Sequence, residues 1–429
     1  MQGSTSSGQF VFEPPAAEPL GSVLYDEHLK LTSKSRMSPF AGYVMPLWYS
    51  SIAGEHGAVR TVAGLFDCTH MGVLEVSGGD AEAFINTVAT NNVSRLKAGR
   101  AQYSYVLDAA GNVLDDIIIY RQGDTSFMVV VNAANEPKIK AYLGALLAGQ
   151  AVVDIADPGR KLELAPTIRD LRDPAAGSDG RVDLALQGPA SIEVLTKLAG
   201  DVSLREQLSD LKSFALLEGR LDGVDCLIST TGYTGASISF ELFVHPAQTP
   251  QLWNAILEAG QSLGVLPCGL GARDSLRIEA GLPLYGHELA GPFGISPFAA
   301  GYGWAVKLDK EFFIGQAEMA RVAPSYDMQV ARLELSAAKG VRPVRPQDPI
   351  LDGQGACIGW ILSSAKAGEN QYALVYMART AAQEGNAVGV YYLARSASQV
   401  QQGRYERMDK GQKAEADLTG TVVGRYAKF

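Results

Sequence analysis

Two adjacent carboxylates interrupt an apolar run, Leu114-Asp115-Asp116-Ile117-Ile118-Ile119-Tyr120, that otherwise reads as a buried β-strand. An ionised carboxylate taken out of water without a partner is costly, so an acidic pair at such a place needs a reason. Side chains alternate faces along a strand, and the spacing predicts that Asp115 and Asp116 point to opposite sides rather than forming a proton-sharing dyad. One is expected to face a pocket and the other a structural partner. A carboxylate facing a pocket can stabilise developing positive charge or take up a proton. The plainer reading of the same spacing is a strand-end pair, solvated or capping a turn beside Gly111-Asn112.

Other residue types invite the same double reading. Arg273 and Arg277 lie four apart on one predicted helix face, with Asp274 and Glu279 nearby. They form either a solvated, salt-bridged surface or a guanidinium presented to a carboxylate ligand. Gly232-Tyr233-Thr234-Gly235 is a tight turn between strands; it serves the turn alone or lays Tyr233 over a flat ligand. Glu241 follows Phe240 in a predicted strand, where a carboxylate can accept hydrogen bonds from an amino-pyrimidine edge. Cys268-Gly269-Leu270-Gly271-Ala272-Arg273-Asp274 lacks the third glycine of a dinucleotide fingerprint, and Asp274 in its place would repel a pyrophosphate. No phosphate-loop lysine motif and no nucleophile elbow is present. Cys68, Cys226, Cys268 and Cys357 lie far apart, and the five histidines show no ligand spacing, so no metal site is expected.

Strands and turns must position these groups. A βα pattern runs from Val73-Leu74-Glu75-Val76 into a helix at 82–87. A meander follows through Tyr103-Ser104-Tyr105-Val106-Leu107, the aspartate strand and 127–132. A helix is predicted over 136–147, and 157–180 reads as a polar surface excursion. A second αβ unit has a strand at Leu184-Ala185-Leu186, a helix at 190–199, strands near 226–228 and 240–244, and helices at 250–263 and 273–280, the last stopped by Gly281. Beyond about Val322, short strands alternate with Gly/Pro turns, as in a small all-β barrel. The tail over 395–413 is polar and uninformative.

The chain has 429 residues, 47% of them hydrophobic and 19% charged, enough for two or three domains. A net charge of -9 argues against a general nucleic-acid surface. No apolar run approaches the roughly 20 residues of a membrane helix. The first stretch is rich in Ser, Gly, Pro and Ala without a basic start and apolar block, so a flexible leader over 1–30 is expected rather than a secretory signal. Scattered thiols fit a reducing cytoplasm.

Together these residues resemble the T-protein family of the glycine cleavage system, the folate-dependent aminomethyltransferases. The likeness runs from about Ser38 to Phe313. It is carried by Phe40-Ala41-Gly42-Tyr43-Val44-Met45-Pro46, Gly64-Leu65-Phe66-Asp67, His70-Met71-Gly72, Leu114-Asp115-Asp116 and Val131-Asn132-Ala133-Ala134-Asn135. Leu186-Gln187-Gly188-Pro189, Gly232-Tyr233-Thr234-Gly235, the stretch 269–281, Leu284-Tyr285-Gly286-His287-Glu288 and Gly303-Trp304-Ala305-Val306-Lys307-Leu308 complete it.

The resemblance implies an α+β fold of three domains in a clover-leaf around a central folate site. It places a catalytic region of two αβ domains over 31–320 and a small C-terminal β-barrel domain with a polar tail over 321–429. It implies Asp116 as the catalytic carboxylate, Glu241 on the pterin's amino-pyrimidine edge and Arg273 toward the glutamyl part, with Tyr103, Asn132 and Tyr233 lining the pocket. The implied reaction moves a one-carbon unit from an aminomethyl-dihydrolipoyl carrier protein of the H-protein type to N5 of tetrahydrofolate, with release of ammonia.

A tetrahydrofolate-dependent demethylase of a small N-, O- or S-methyl compound is the alternative on the same scaffold. A third reading is a non-catalytic folate-binding helper in iron–sulfur assembly. Such relatives carry a cysteine motif that Lys310-Glu311-Phe312-Phe313-Ile314-Gly315-Gln316-Ala317 lacks. The chain departs from the family pattern at Asn91-Asn92, at Ala236-Ser237-Ile238-Ser239, in the length of 157–180, at the loop expected over Ser363-Ser364-Ala365-Lys366-Ala367, and in its long tail, where Tyr426 is the remnant of an aromatic ending.

Overall fold

A computed structural model describes residues 8–427 and 429. It groups the chain into two compact units: residues up to Arg273 with Ala305–Ala320 and Phe429, and Asp274–Trp304 with Arg321–Lys428. Residues 1–7 of the expected leader lie outside the described residues. Within the rest of that leader, the Phe10 ring lies 4.8 Å from Tyr142, Leu20–Gly21 pairs in parallel with Tyr43 and Val44, and Tyr25–Leu31 is helical.

The first unit contains two mixed-layer halves. One is a five-stranded sheet in the order Arg100–Leu107, Val113–Arg121, Ser126–Val131, Gly72–Ser77, Thr167–Asp170, antiparallel throughout. The other has six strands in the order Leu216–Leu221, Val224–Ser229, Ser239–Val244, Val182–Gln187, Gly64–Asp67, Leu266–Cys268, the last pair parallel. Their strands are apolar on both faces because both faces are covered. Phe127, Val129 and Val131 turn to the helices Ala81–Val88 and Glu136–Leu147, while Met128 and Val130 turn the other way. In the second sheet Leu184, Leu186 and Leu242 pack on Trp253 and Ile256 of the helix Thr249–Gly260. The uncovered faces meet each other in a third core, where Tyr120, Met128 and Val130 pack against Leu216, Leu227 and Phe243. The rings of Tyr120 and Phe243 meet edge to face at 5.2 Å.

In the second unit, Met328–Ser336, Asn370–Ala378, Cys357–Ala367, Pro349–Leu351, Ala387–Val390 and Leu418–Val423 close into a barrel around Leu333, Ile361, Val375, Val390 and Val422. The fold class is therefore α+β with a C-terminal β-barrel, as the alternation of short strands and turns predicts.

Three local expectations are corrected. The stretch 157–180 is not only an excursion: Thr167–Asp170 is an edge strand on Gly72–Ser77, where Arg169 reaches Glu75 at 2.6 Å. Charged side chains on an exposed edge read as loop in the sequence. Ser363 to Ala367 belong to the strand Cys357–Ala367 rather than to a loop. The polar tail contains the helix Ala397–Gln401, and its Arg404 donates to the carbonyl of Tyr392 at 2.8 Å and pairs with Asp417.

Candidate active site

The aspartate strand carries a bulge beside the acids: Val106 pairs with Asp115 and Leu107 with Val113, leaving Leu114 as the extra residue. Bulges re-aim side chains and are common beside active sites. Asp115 is fully buried on the helix side, the face it shares with Ile117 and Ile119. It accepts from the backbone N–H of Asn132 at 2.9 Å, from Asn132 Nδ2 at 2.9 Å and from Asn135 Nδ2 at 2.5 Å. Asp116 lies on the opposite face, the one carrying Ile118 and Tyr120, and is half-buried. It accepts from Tyr103 Oη at 2.9 Å and from Asn132 Nδ2 at 2.8 Å. Alternation predicts the opposite faces. It does not predict that Asn132, just past the end of Ser126–Val131, reaches both acids with one amide nitrogen.

Burial raises the proton affinity of Asp116, opposed by its hydrogen bonds to Tyr103 and Asn132. Burial raises that of Asp115 as well, and the neighbouring charge of Asp116 adds to it.

A second cluster forms around Glu241 in the strand Ser239–Val244. Its Oε2 accepts from Tyr120 Oη at 2.9 Å and from the hydroxyl of Thr231. Asp116 and Tyr120 thus stand on one face of one strand, four residues apart. That is roughly 13 Å of chain, with the acid Asp116 at one end and the anchor of Glu241 at the other. Arg273, in the first turn of Leu270–Ala280, lies over the ring of Tyr233 at 5.1 Å and donates to Cys68 Sγ at 3.3 Å. Tyr233 sits in the turn between Val224–Ser229 and Ser239–Val244, pinned by Thr234 Oγ1 donating to Gln187 Oε1 at 2.9 Å.

Asp116, Asn132 and Tyr103 are therefore in direct contact, and Tyr233 is in contact with Arg273. Glu241 joins the first group only through Tyr120. Arg277 is neither solvated nor presented to a ligand: it is 1% exposed and bonds Glu288 at 2.6 Å and Asp274 at 2.8 Å. The helix periodicity showed its acidic neighbours in sequence but not Glu288, which arrives from a later loop.

Sequence reasoning missed Tyr120, Thr231 and Asn135 as partners of the acids. Tyr120 closes the aspartate run, and its phenol at the end of an apolar strand was the available signal; Thr231 gave none. Among the described residues no group of His, Cys, Asp and Glu has the arrangement of a metal site, and no helix is long and apolar enough to cross a membrane. The barrel carries a cleft of about 370 Å³ bordered by Arg342, Tyr392, Gln399 and Arg404. Asp116, Asn132, Tyr103, Glu241, Tyr233 and Arg273 do not line it.

Fold and acids together define an α+β scaffold with a carboxylate-centred site. The GCVT N-terminal domain model matches residues 24–310. An aminomethyltransferase of Desulfitobacterium hafniense (strain Y51) is 39% identical over 346 residues, 80% of this chain and 85% of that one. An aminomethyltransferase of Geobacillus kaustophilus is 44% identical over 284 residues, 66% of this chain and 70% of that one. The crystal structure of glycine cleavage system aminomethyltransferase T from Bartonella henselae superposes with a TM-score of 0.72 at 28% identity, covering 94% of this chain and 97% of that one. The chain belongs to the GCVT family and is a one-carbon transferase.

Proposed function

We propose that the chain transfers the one-carbon unit of an aminomethyl-dihydrolipoyl carrier protein to N5 of tetrahydrofolate, releasing ammonia and forming 5,10-methylenetetrahydrofolate. The observation that carries this reading is Asp116: a half-buried carboxylate, held by a phenol and an amide, on a strand face whose far end is tied to a second carboxylate. The donor set fits a reduced pterin. Glu241 keeps Oε1 for an amino-pyrimidine edge while Oε2 is held by Tyr120 and Thr231. Arg273 over Tyr233 supplies a cation for the glutamyl carboxylates.

Tetrahydrofolate supplies the nucleophilic nitrogen. Asp116 then stabilises the positive charge that develops beside it and takes up the proton that nitrogen loses. Tyr103 and Asn132 hold the carboxylate in place, so little reorganisation is needed as charge develops. Binding both partners in one site lowers the barrier further by orientation. The balance closes without an enzyme-bound intermediate. The two protons leaving the folate nitrogens go to the departing ammonia and to the carrier thiol.

Asp116→Asn tests the reading. Turnover to methylenetetrahydrofolate with an aminomethylated carrier is expected to fall by on the order of 100-fold or more. Folate affinity by calorimetry should change far less, since the charge acts along the reaction path. Near-normal turnover would remove Asp116 from the mechanism. Methyltetrahydrofolate formed from a free methyl donor, with none of the carrier-dependent product, would replace the reading with the demethylase.

A further inference from the structure

Asp115 has no part in the transfer proposed above, yet it is tied to the residue that does. It is wholly buried on the helix face of Val113–Arg121, with its acceptor positions filled from the loop 132–135. The Asn132 amide nitrogen that donates to Asp115 Oδ1 at 2.9 Å also donates to Asp116 Oδ1 at 2.8 Å. Turning that amide over would set its carbonyl oxygen against two carboxylates, so the acids together fix its orientation. Three titratable groups face this arrangement. Asp116 is on the same strand. Tyr103, from Arg100–Leu107, donates to Asp116. Lys138, from the helix Glu136–Leu147, donates from Nζ to Asn135 Oδ1 at 2.9 Å, and Asn135 in turn donates to Asp115. A run of contacts thus leads from a lysine on the helix to the acid on the other side of the sheet.

We propose that Asp115 is a positioning residue for Asp116: it locks the Asn132 amide with its donor side toward Asp116 and so holds, from the opposite face of the sheet, one of the two hydrogen bonds that fix that carboxylate. Burial and the charge of Asp116 both push Asp115 toward its neutral form, so what reaches Asp116 is the orientation of the amide rather than a charge on Asp115. The consequence for catalysis rests on the role proposed for Asp116; the lock on the amide does not.

The test follows the Asp116 carboxyl carbon by NMR titration of the full chain without folate, with the resonance assigned by its loss in Asp116→Asn. Asp115→Ala removes the acceptor that holds the Asn132 amide: the Asn132 side-chain amide resonances should shift and broaden, and the Asp116 midpoint should rise as it loses a hydrogen bond that favours its charged form. The acid limb of the kcat profile should rise with it, with the KM for folate little changed. Asp115→Asn keeps an oxygen for the amides of Asn132 and Asn135 but sets its own Nδ2 against the Asn132 backbone N–H, so it should move Asp116 in the same direction and by less. An Asp116 midpoint and Asn132 amide resonances identical in the native chain and in either folded variant overturn the proposal. The same shifts without any methylenetetrahydrofolate formation would instead sink the reading of the function and leave the lock standing.

Discussion

At the scale of single residues, burial decides what an ionisable group can do. His70 shows this away from the acids. It is 2% exposed, its Nδ1 has no hydrogen-bond partner among the described residues, and burial holds its pKa down at about 4 against an ordinary value of 6.5, with Arg273 and Arg172 opposing the proton too. Below pH 6.5 the unfolded chain takes up a proton at this histidine while the folded chain does not until about pH 4. Stability therefore falls as pH drops across that window, by about 3 kcal/mol from this group. His70→Gln should remove that slope. Urea unfolding of the two chains at steps between pH 7 and pH 4 would show converging stabilities, and parallel curves would contradict it. Asp67 works in the opposite sense. Its carboxylate accepts from Ser22 at 2.7 Å and contacts His28 at 2.8 Å; these partners outweigh burial and lower it to about 2, so its contribution survives through the same window.

At the scale of elements, the positions of chain segments depend on polar anchors that periodicity does not display. Residues 305–320 belong with the first unit. They are fastened there by Lys310, whose Nζ donates to the carbonyls of Asn86, Ala89 and Asn91, the last two at 2.7 and 3.0 Å. Thr90 adds a bond to the carbonyl of Ala305 at 2.9 Å. Lys310→Met keeps the stem and deletes the donor. Unpaired buried carbonyls cost about 1–3 kcal/mol each, partly recovered by water, so a loss of roughly 2–4 kcal/mol is expected in urea titration. An unchanged midpoint would show that the anchor carries no weight. Helices and strands whose apolar spacing faces one core were legible in the sequence, 136–147 and 127–132 among them. Edge strand Thr167–Asp170 was not, because its charged side chains point into water and pair with charged neighbours. Within the site, the residue types and their strand were legible. What joins them was not: the bridge through Asn132, and the tie from Tyr120 to Glu241, depend on loop ends and on two sheets meeting.

At the scale of the whole molecule, two units with separate cores imply two cooperative blocks, since a buried cluster opens as a unit when one of its members is lost. The barrel core gathers Leu333, Ile361, Val375 and Val422. The core between the two sheets of the first unit gathers Tyr120, Met128 and Phe243. Val422 is 2% exposed on Leu418–Val423, the strand that hydrogen-bonds both Met328–Ser336 and Ala387–Val390 and so closes the barrel. Val422→Asp places a carboxylate among apolar side chains, which costs several kcal/mol and consumes much of the stability of an ordinary domain. Hydrogen exchange should then show the amides of Met328–Ser336, Asn370–Ala378 and Ala387–Val390 losing protection, while those of Val113–Arg121 and Ser126–Val131 keep theirs. Loss of protection in both sets together would mean that the chain opens as a single block.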